Sequence, residues 1–184
     1  MAPIVIIFIG LPGTGKTTIA THIQHTLPHS VIIEQDLFYK KHTCDSYAYL
    51  GEIEKCLSKH QVLLLCKNHH TSSSLMEVVT LVKSHHAQYL LVNLIPDLVV
   101  MTRDETDLLE DLLERIENRN NGSHIKIDEH HSRQLAKNKI LYGFLKKYEP
   151  PNIKDHEFYI SLDYKNSITK NVNSILTQYK KMKK

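Results

Sequence analysis

Residues 10–17 carry closely spaced glycines followed by Lys16 and Thr17. The stretch reads Gly-Leu-Pro-Gly-Thr-Gly-Lys-Thr and fills every position of the pattern G-x-x-x-x-G-K-[S/T]. Glycines there let consecutive backbone N–H groups point into one concavity that binds an anion, and the following helix adds its positive end. Lys16 would reach the β- and γ-phosphates, and the Thr17 hydroxyl would ligate Mg²⁺. The pattern therefore predicts a nucleoside triphosphate site formed by Gly13, Thr14, Gly15, Lys16, Thr17 and Thr18.

The sequence supplies the elements that this loop needs on either side. Residues 3–9 form a continuous apolar run rich in β-branched residues, which is typical of a strand buried on both faces. Residues 17–23 contain no Gly or Pro and can continue as a helix. The alternative is a glycine-rich turn with a chance Lys-Thr pair, but a strand, a glycine loop and a helix in this order favour the phosphate loop.

Further strands and helices alternate along the chain. Apolar runs at 31–33, 62–65, 89–94 and 158–161 predict strands, and helical spacing occurs at 48–58, 74–85 and 168–179. This alternation predicts an α/β protein of the P-loop NTPase fold, with a central parallel sheet flanked by helices, in a single domain over 1–184.

A helical lid is expected late in the chain. Residues 105–118 carry an apolar stripe at helical intervals and run into a polar turn at 120–123. A second helix is predicted over 128–148, and Pro150 and Pro151 stop it. A helix, a polar turn and a helix in this position predict a lid over about 105–148 that closes over the phosphates.

The composition narrows the possible classes of protein. The net charge of +3 is too small to indicate a nucleic-acid-binding protein by itself, and the thirteen histidines lack the spacing of a zinc site. The three cysteines form no C-x-x-C pair, which favours a reducing compartment. Because no apolar run reaches the ~18 residues of a membrane helix, we expect a soluble intracellular protein, cytoplasmic or nuclear, with no membrane partner.

Asp36 is the candidate general base. It lies just past the predicted second strand, so it should project from the sheet edge that carries the phosphate loop. A carboxylate there can accept the proton of an acceptor hydroxyl and can help to position the metal. The alternative is an N-cap for a short helix at 37–39. Lys40, nearby, could bind a phosphate of a polynucleotide acceptor or simply be solvated.

The end of the predicted third strand departs from expectation. Many phosphate-loop enzymes place an Asp there to hold the Mg²⁺ shell, but this strand ends in Cys66. The metal must then rely on Thr17, the phosphates, water and Asp36. Next along the chain, Lys67, Asn68 and His69 offer donors to an acceptor phosphate or nucleotide, unless they form only a polar loop.

Two arginines belong to the predicted lid. Arg115 and Arg119 are four residues apart and so share one helix face. Closure could bring both guanidinium groups onto the triphosphate, where they would neutralise charge that develops during transfer. The alternative is a pair of surface salt bridges with Glu114 or Asp111, which would contribute little.

With these residues, the chain resembles the polynucleotide 5′-kinase domain of fungal-type tRNA ligases. Residues 66–70, Cys-Lys-Asn-His-His, resemble that family's Asp-Arg-Asn-Asn-His block, although the first Asp is lost and Lys67 replaces the Arg. Residues 91–94 resemble its Ala-Leu-Asn strand, and 113–124 resemble its lid, an Arg-containing helix followed by an Arg-Gly-Asp-Asn-His turn.

The resemblance implies transfer of a γ-phosphoryl group to a 5′-OH RNA end, in RNA repair or tRNA splicing. Asp36 would be the general base, and Lys16 and Arg119 would stabilise the transition state. It also implies Mg²⁺, a GTP or ATP donor, and a separate RNA ligase as a possible partner.

Two other functions stay open. Residues 35–40 also resemble the Asp-x-Phe-Tyr segment of uridine and nicotinamide riboside kinases, in which case Phe38 or Tyr39 should line a nucleoside pocket. The second alternative is a nucleotide-binding module without transfer activity. The Asn-His block and the lid sequence favour the RNA acceptor.

Overall fold

The computed structural model describes residues 2–40, 43–68, 71–95, 105–117 and 141–183. The strands in these ranges are β1 (Ile4–Ile9), β2 (Ser30–Glu34), β3 (Tyr39–Lys40), β4 (Thr43–Cys44), β5 (Val62–Cys66), β6 (Gln88–Asn93) and β7 (Tyr159–Ser161). The α-helices are α1 (Lys16–Thr26), α2 (Ser46–Leu57), α3 (Ser72–Ser84), α4 (Glu105–Glu117), α5 (Tyr142–Lys146) and α6 (Ile168–Met182). Short 3₁₀ helices span Gln35–Phe38 and Ile153–Asp155.

The central sheet has the strand order β2-β5-β1-β6-β7, and each neighbouring pair is parallel. β1 lies in the middle, and all six of its residues are buried. A strand in this position reads as a continuous apolar run because both of its faces are covered. The predicted central parallel sheet is therefore confirmed.

The two faces of the sheet support separate apolar cores. On one face, Ile4, Ile6 and Phe8 of β1 pack in a cluster that includes residues of α1, α4 and α6. On the other face, Val5 and Ile7 pack in a cluster that includes residues of α2 and α3. Alternate side chains of one strand thus serve the two layers of helices, as the pleat of a strand requires.

The stretch between β2 and α2 contains elements that the sequence did not predict. Asp36 lies inside the 3₁₀ helix that follows β2, not at a position before it. β3 and β4 then form a two-stranded antiparallel hairpin. The Asp45 N–H donates to the Phe38 carbonyl at 2.9 Å, and the Asp45 side chain caps α2 by accepting from the Ala48 N–H. This cap explains why α2 begins before the predicted residue 48.

The predicted lid lies partly within the described residues. Its first helix is present as α4. The turn at 120–123 and most of the second predicted helix lie outside the described residues. α5 lies within the predicted span of that second helix. The lid over 105–148 and the single domain over 1–184 stay predictions. Within the described ranges, no helix combines the length and hydropathy that a membrane span requires.

Gly13 of the phosphate loop lies directly against α4. Its φ is +87°, and a Cβ built there would lie 2.8 Å from the Leu112 carbonyl oxygen and 3.3 Å from Ile116 Cγ1. A side chain at this position is therefore excluded both by the left-handed backbone and by the backbone of α4.

We expect Gly13→Ala to lower the free energy of unfolding by about 1–3 kcal/mol, because strain at the loop and displacement of α4 add together. Gly51 is the matched control: it lies in α2, with no heavy atom within 4 Å of a built Cβ. Gly51→Ala should raise stability by about 0.5–1 kcal/mol. Urea denaturation measures both changes, and a Gly13→Ala protein as stable as the unchanged chain would contradict the contact with α4.

Candidate active site

The phosphate loop joins β1 to α1 at the carboxyl edge of the sheet. Gly10, Gly13 and Gly15 all have positive φ values. Thr14 is buried, and its hydroxyl donates a hydrogen bond to the Leu11 carbonyl at 2.9 Å. The loop conformation is therefore one that its glycines permit and that an internal hydrogen bond holds in place.

The N-terminus of α1 differs from those of α2, α3 and α6. Asp45, Thr71 and Ser167 cap α2, α3 and α6 through side-chain oxygens. The N-cap of α1 is Gly15, which has no side chain to bond, and the first turn holds no acidic residue. Backbone N–H groups at such an end, together with the helix dipole, suit an anionic ligand.

Lys16 is buried at the start of this helix, with only 9% of its surface exposed. Its ammonium donates to the carbonyl oxygens of Gly10 and Leu11, each at 2.9 Å. A buried cation is tolerated only where such acceptors solvate it. The structure therefore keeps a positive charge within the phosphate loop rather than in solvent.

The carboxyl ends of β2 and β5 lie beside the loop. Glu34 pairs with Cys66 in the parallel register of these strands, and Asp36 follows on the exposed surface of the 3₁₀ helix. Burial raises the pKa of the Cys66 thiol to about 12, so the thiol is neutral at physiological pH. Thr17 follows Lys16 in the first turn of α1. The end of β5 thus places a neutral, buried thiol between β1, which the phosphate loop follows, and Glu34 of β2.

Gln35 is a site residue that the sequence analysis missed. It is buried, and its side-chain oxygen accepts a hydrogen bond from the Asn68 N–H at 3.0 Å. This bond joins the segment that carries Asp36 to the segment that follows β5. The sequence shows only a glutamine between Glu34 and Asp36. No local pattern there predicts a hydrogen bond to a residue 33 positions away.

The predicted acceptor residues have different environments. Lys67 is buried, with Nζ 5.1 Å from the centroid of the Tyr49 ring. Asn68 is half-buried and bonded to Gln35. The side chain of Lys40 and all of His69 lie outside the described residues. Lys67 and Asn68 therefore lie near the sheet edge, with the Lys67 ammonium over the Tyr49 ring.

Arg115 contacts the loop that follows β7. Its Nη1 donates to the Tyr164 carbonyl at 3.0 Å, and its guanidinium carbon lies 5.1 Å from the centroid of the Tyr164 ring. The Tyr164 hydroxyl donates to Asp111 at 2.7 Å, and Lys165 forms an ion pair with the same carboxylate at 2.6 Å. Burial alone would raise the pKa of Asp111, but the hydrogen bonds from Lys165 and Tyr164 lower it. Arg119 lies outside the described residues.

A cavity of about 250 Å³ lies between Arg115 and the phosphate loop. It is lined by Gly13, Thr14, Gly15, Thr18, Ile19, Arg115, Tyr164, Asn166, Ile168 and Asn171. The cavity therefore begins at the phosphate loop and continues between α1, α4 and the start of α6, with an arginine, an aromatic ring and two amides in its wall.

Asn93, at the end of β6, is fully buried and has a structural role. Its side-chain oxygen accepts from the Ile95 N–H and the Tyr148 hydroxyl, and its amide nitrogen donates to the Tyr159 hydroxyl. The asparagine of the strand that resembles the family's Ala-Leu-Asn therefore joins β6, β7 and the segment after α5.

The side chains around the loop fit Mg²⁺ in their chemistry. Mg²⁺ prefers oxygen ligands and is usually held by one or two carboxylates together with phosphates and water. Thr17, Glu34 and Asp36 supply a hydroxyl and two carboxylates here. Within the described ranges, no three His, Cys, Asp or Glu side chains form a preassembled metal cage.

Comparisons with known proteins agree with this fold. A fungal RNA kinase structure is 20% identical over 95% of this chain and 83% of its own, with a TM-score of 0.69. The Mycobacterium tuberculosis APS kinase CysC in complex with AMPPNP and APS is 12% identical over 97% and 98%, with a TM-score of 0.61. Chaetomium thermophilum Kti12 in complex with ADP-AlF3 is 14% identical over 96% and 98%, with a TM-score of 0.62. At these identities the likeness establishes the fold.

A search of curated proteins finds no match. The family model described as the tRNA ligase kinase domain matches residues 5–165, a span that holds the phosphate loop and the carboxyl ends of the strands. The chain therefore has the P-loop NTPase fold and belongs to the tRNA ligase kinase domain family.

Proposed function

We propose that this protein is a polynucleotide 5′-hydroxyl kinase that transfers the γ-phosphoryl group of GTP or ATP to a 5′-OH RNA end. The observation that carries the proposal is the buried Lys16 ammonium, which the Gly10 and Leu11 carbonyls hold within the phosphate loop, beside a helix end that no side chain caps. Membership of the tRNA ligase kinase domain family supports an RNA acceptor. The product would be an RNA 5′-phosphate, which a separate RNA ligase could consume.

The chemistry assigns a step to each group. The 5′-hydroxyl oxygen attacks the γ-phosphorus, the bond to the β,γ-bridging oxygen breaks, and the nucleoside diphosphate leaves with the electron pair. Asp36 accepts the hydroxyl proton. Lys16 and the N–H groups at the start of α1 stabilise the negative charge that grows on the β-phosphate. Bound Mg²⁺ supplies further positive charge to the triphosphate, and Thr17 is the residue that would hold it.

The cavity beside the loop fits the nucleobase of the donor. It opens from the phosphate loop, and the Tyr164 ring and the Arg115 guanidinium offer surfaces on which a base can stack. Asn166 and Asn171 offer amide groups to the edge of the base. Arg115 would then contact the nucleobase of the donor nucleotide. Arg119 remains the candidate for the transferred phosphoryl group.

A nucleoside acceptor is the main rival, and Phe38 bears on it. The Phe38 ring packs edge-on against Tyr49, with centroids 5.6 Å apart, and belongs to the margin of the core on the α2 side. A ring engaged in this way argues against a nucleoside stacked on Phe38, while the side chain of Tyr39, the other candidate, lies outside the described residues. The test is transfer of radiolabelled γ-phosphate from GTP and from ATP, with 5′-OH RNA, 5′-OH DNA and nucleosides as competing acceptors.

We expect label on 5′-OH RNA, and we expect Lys16→Ala to abolish it, because Lys16 is the ammonium placed within the loop. Label on a nucleoside alone would make the protein a small-molecule kinase. Tight triphosphate binding without label on any acceptor would make it a binding module. Activity of Lys16→Ala near that of the unchanged protein would overturn the assignment of the phosphate loop.

Asp36→Ala should lower turnover by at least ~100-fold while triphosphate affinity stays nearly unchanged, as the loss of a general base predicts. Asp107→Ala, which removes an exposed carboxylate from α4, is the control and should retain full turnover. Steady-state kinetics and equilibrium nucleotide binding separate the two effects. If Asp36→Ala lost triphosphate affinity instead, Asp36 would be a metal ligand.

Arg115→Ala should weaken nucleotide binding about tenfold or more, since it removes a stacking surface and a hydrogen bond from the cavity wall. Arg115→Lys should recover only part of the affinity, because an ammonium lacks the planar fork. Titration of GDP and ADP analogues measures both. Unchanged affinity in Arg115→Ala would exclude the cavity as the base site.

A further inference from the structure

The end of β5 raises a question about how this protein holds a divalent metal. Cys66 stands where a carboxylate usually supports the Mg²⁺ shell. Its thiol is buried. Sulfur is a soft ligand and binds a hard cation such as Mg²⁺ poorly. Another group must therefore supply the negative charge if a metal is bound beside Thr17.

The neighbouring strand places a carboxylate at that level of the sheet. Glu34 is the last residue of β2, and its register partner on β5 is Cys66. Leu64 and Cys66 belong to the core that faces α1, and Ile32 of β2 packs against the same core. Because side chains two residues apart share a face of a strand, Glu34 lies on the α1 face, next to Cys66.

The start of α1 lies on the same side of the sheet as Glu34. This helix follows the phosphate loop, begins at Lys16 and Thr17, and packs in the core that holds Cys66. Cys66 pairs in register with Phe8 of β1, the strand that the phosphate loop follows, and with Glu34 of β2. Glu34 therefore lies two strands from the phosphate loop, on the sheet face that is covered by the helix carrying Thr17.

We propose that Glu34, at the end of β2, supplies the carboxylate of the Mg²⁺ shell that β5 lacks in this protein. This inference rests on the proposed function as a nucleotide-dependent kinase. The inference also gives the two carboxylates different roles. Glu34 would face the metal beside Thr17, while Asp36, exposed on the 3₁₀ helix, would keep its capacity to accept a proton. The single carboxylate fits Mg²⁺, which takes its other ligands from phosphates and water.

The test compares nucleotide affinity with excess Mg²⁺ and with EDTA, using fluorescent GDP and ADP analogues. The ratio of the two affinities measures the contribution of the metal to nucleotide binding. Its measurement needs no phosphate acceptor. Glu34→Gln should lower this ratio about tenfold or more, the usual loss when a supporting group of a metal site is removed, while affinity in EDTA stays unchanged or rises. Glu77→Gln, which neutralises an exposed carboxylate on α3, should leave the ratio unchanged.

Two further variants distinguish a metal-binding role of Glu34 from a structural role. Glu34→Asp retains the charge but withdraws the carboxylate by one methylene, so its ratio should be intermediate. Cys66→Asp in the Glu34→Gln background returns a carboxylate to the register neighbour and should restore the ratio. An unchanged ratio in Glu34→Gln overturns the inference, as does an equal loss of affinity with and without metal, which would indicate a structural role. If the unchanged protein bound nucleotide no better with Mg²⁺, the proposed function itself would fail.

Discussion

The burial of one ammonium group at the centre of the sheet edge constrains the rest of this structure. Lys16 follows β1, which has strands on both sides and apolar helices on both faces. Its charge is desolvated, so the chain must supply acceptors, and the carbonyls of Gly10 and Leu11 do so. Those carbonyls can point inward only because glycines allow the loop its left-handed residues. The fold thus maintains a cation where a phosphate would bind.

The residues around that cation balance its charge without closing the site. Cys66 is the register neighbour of both Phe8 and Glu34, so a neutral, buried sulfur separates the loop from β2. An ionised residue in that place would face Lys16 directly. Here the negative charges lie one strand further out, on Glu34 and in the exposed 3₁₀ helix. In the proposed site, Glu34 would serve the metal and Asp36 the proton transfer.

Local patterns in the sequence predicted the parts of this structure that depend on local physics. The β-branched run before the loop and residues 10–17 were sufficient to predict β1, the phosphate loop and α1. The hairpin of β3 and β4 was not predicted, because two-residue strands carry no periodicity. The hydrogen bonds of Gln35 with Asn68 and of Arg115 with Tyr164 were not predicted either, because they join residues 33 and 49 positions apart. No local pattern encodes such pairs, which exist only after the sheet has formed.

α4 connects the two ends of the proposed donor site. One side of this helix lies on the phosphate loop, where the Leu112 carbonyl leaves no room for a Cβ on Gly13. Its Arg115 reaches the Tyr164 carbonyl, and its Asp111 accepts from the Tyr164 hydroxyl. A shift of α4 would therefore disturb the loop and the cavity together. Because the helix contacts both, one element would lie against the phosphates and the base of a bound nucleotide.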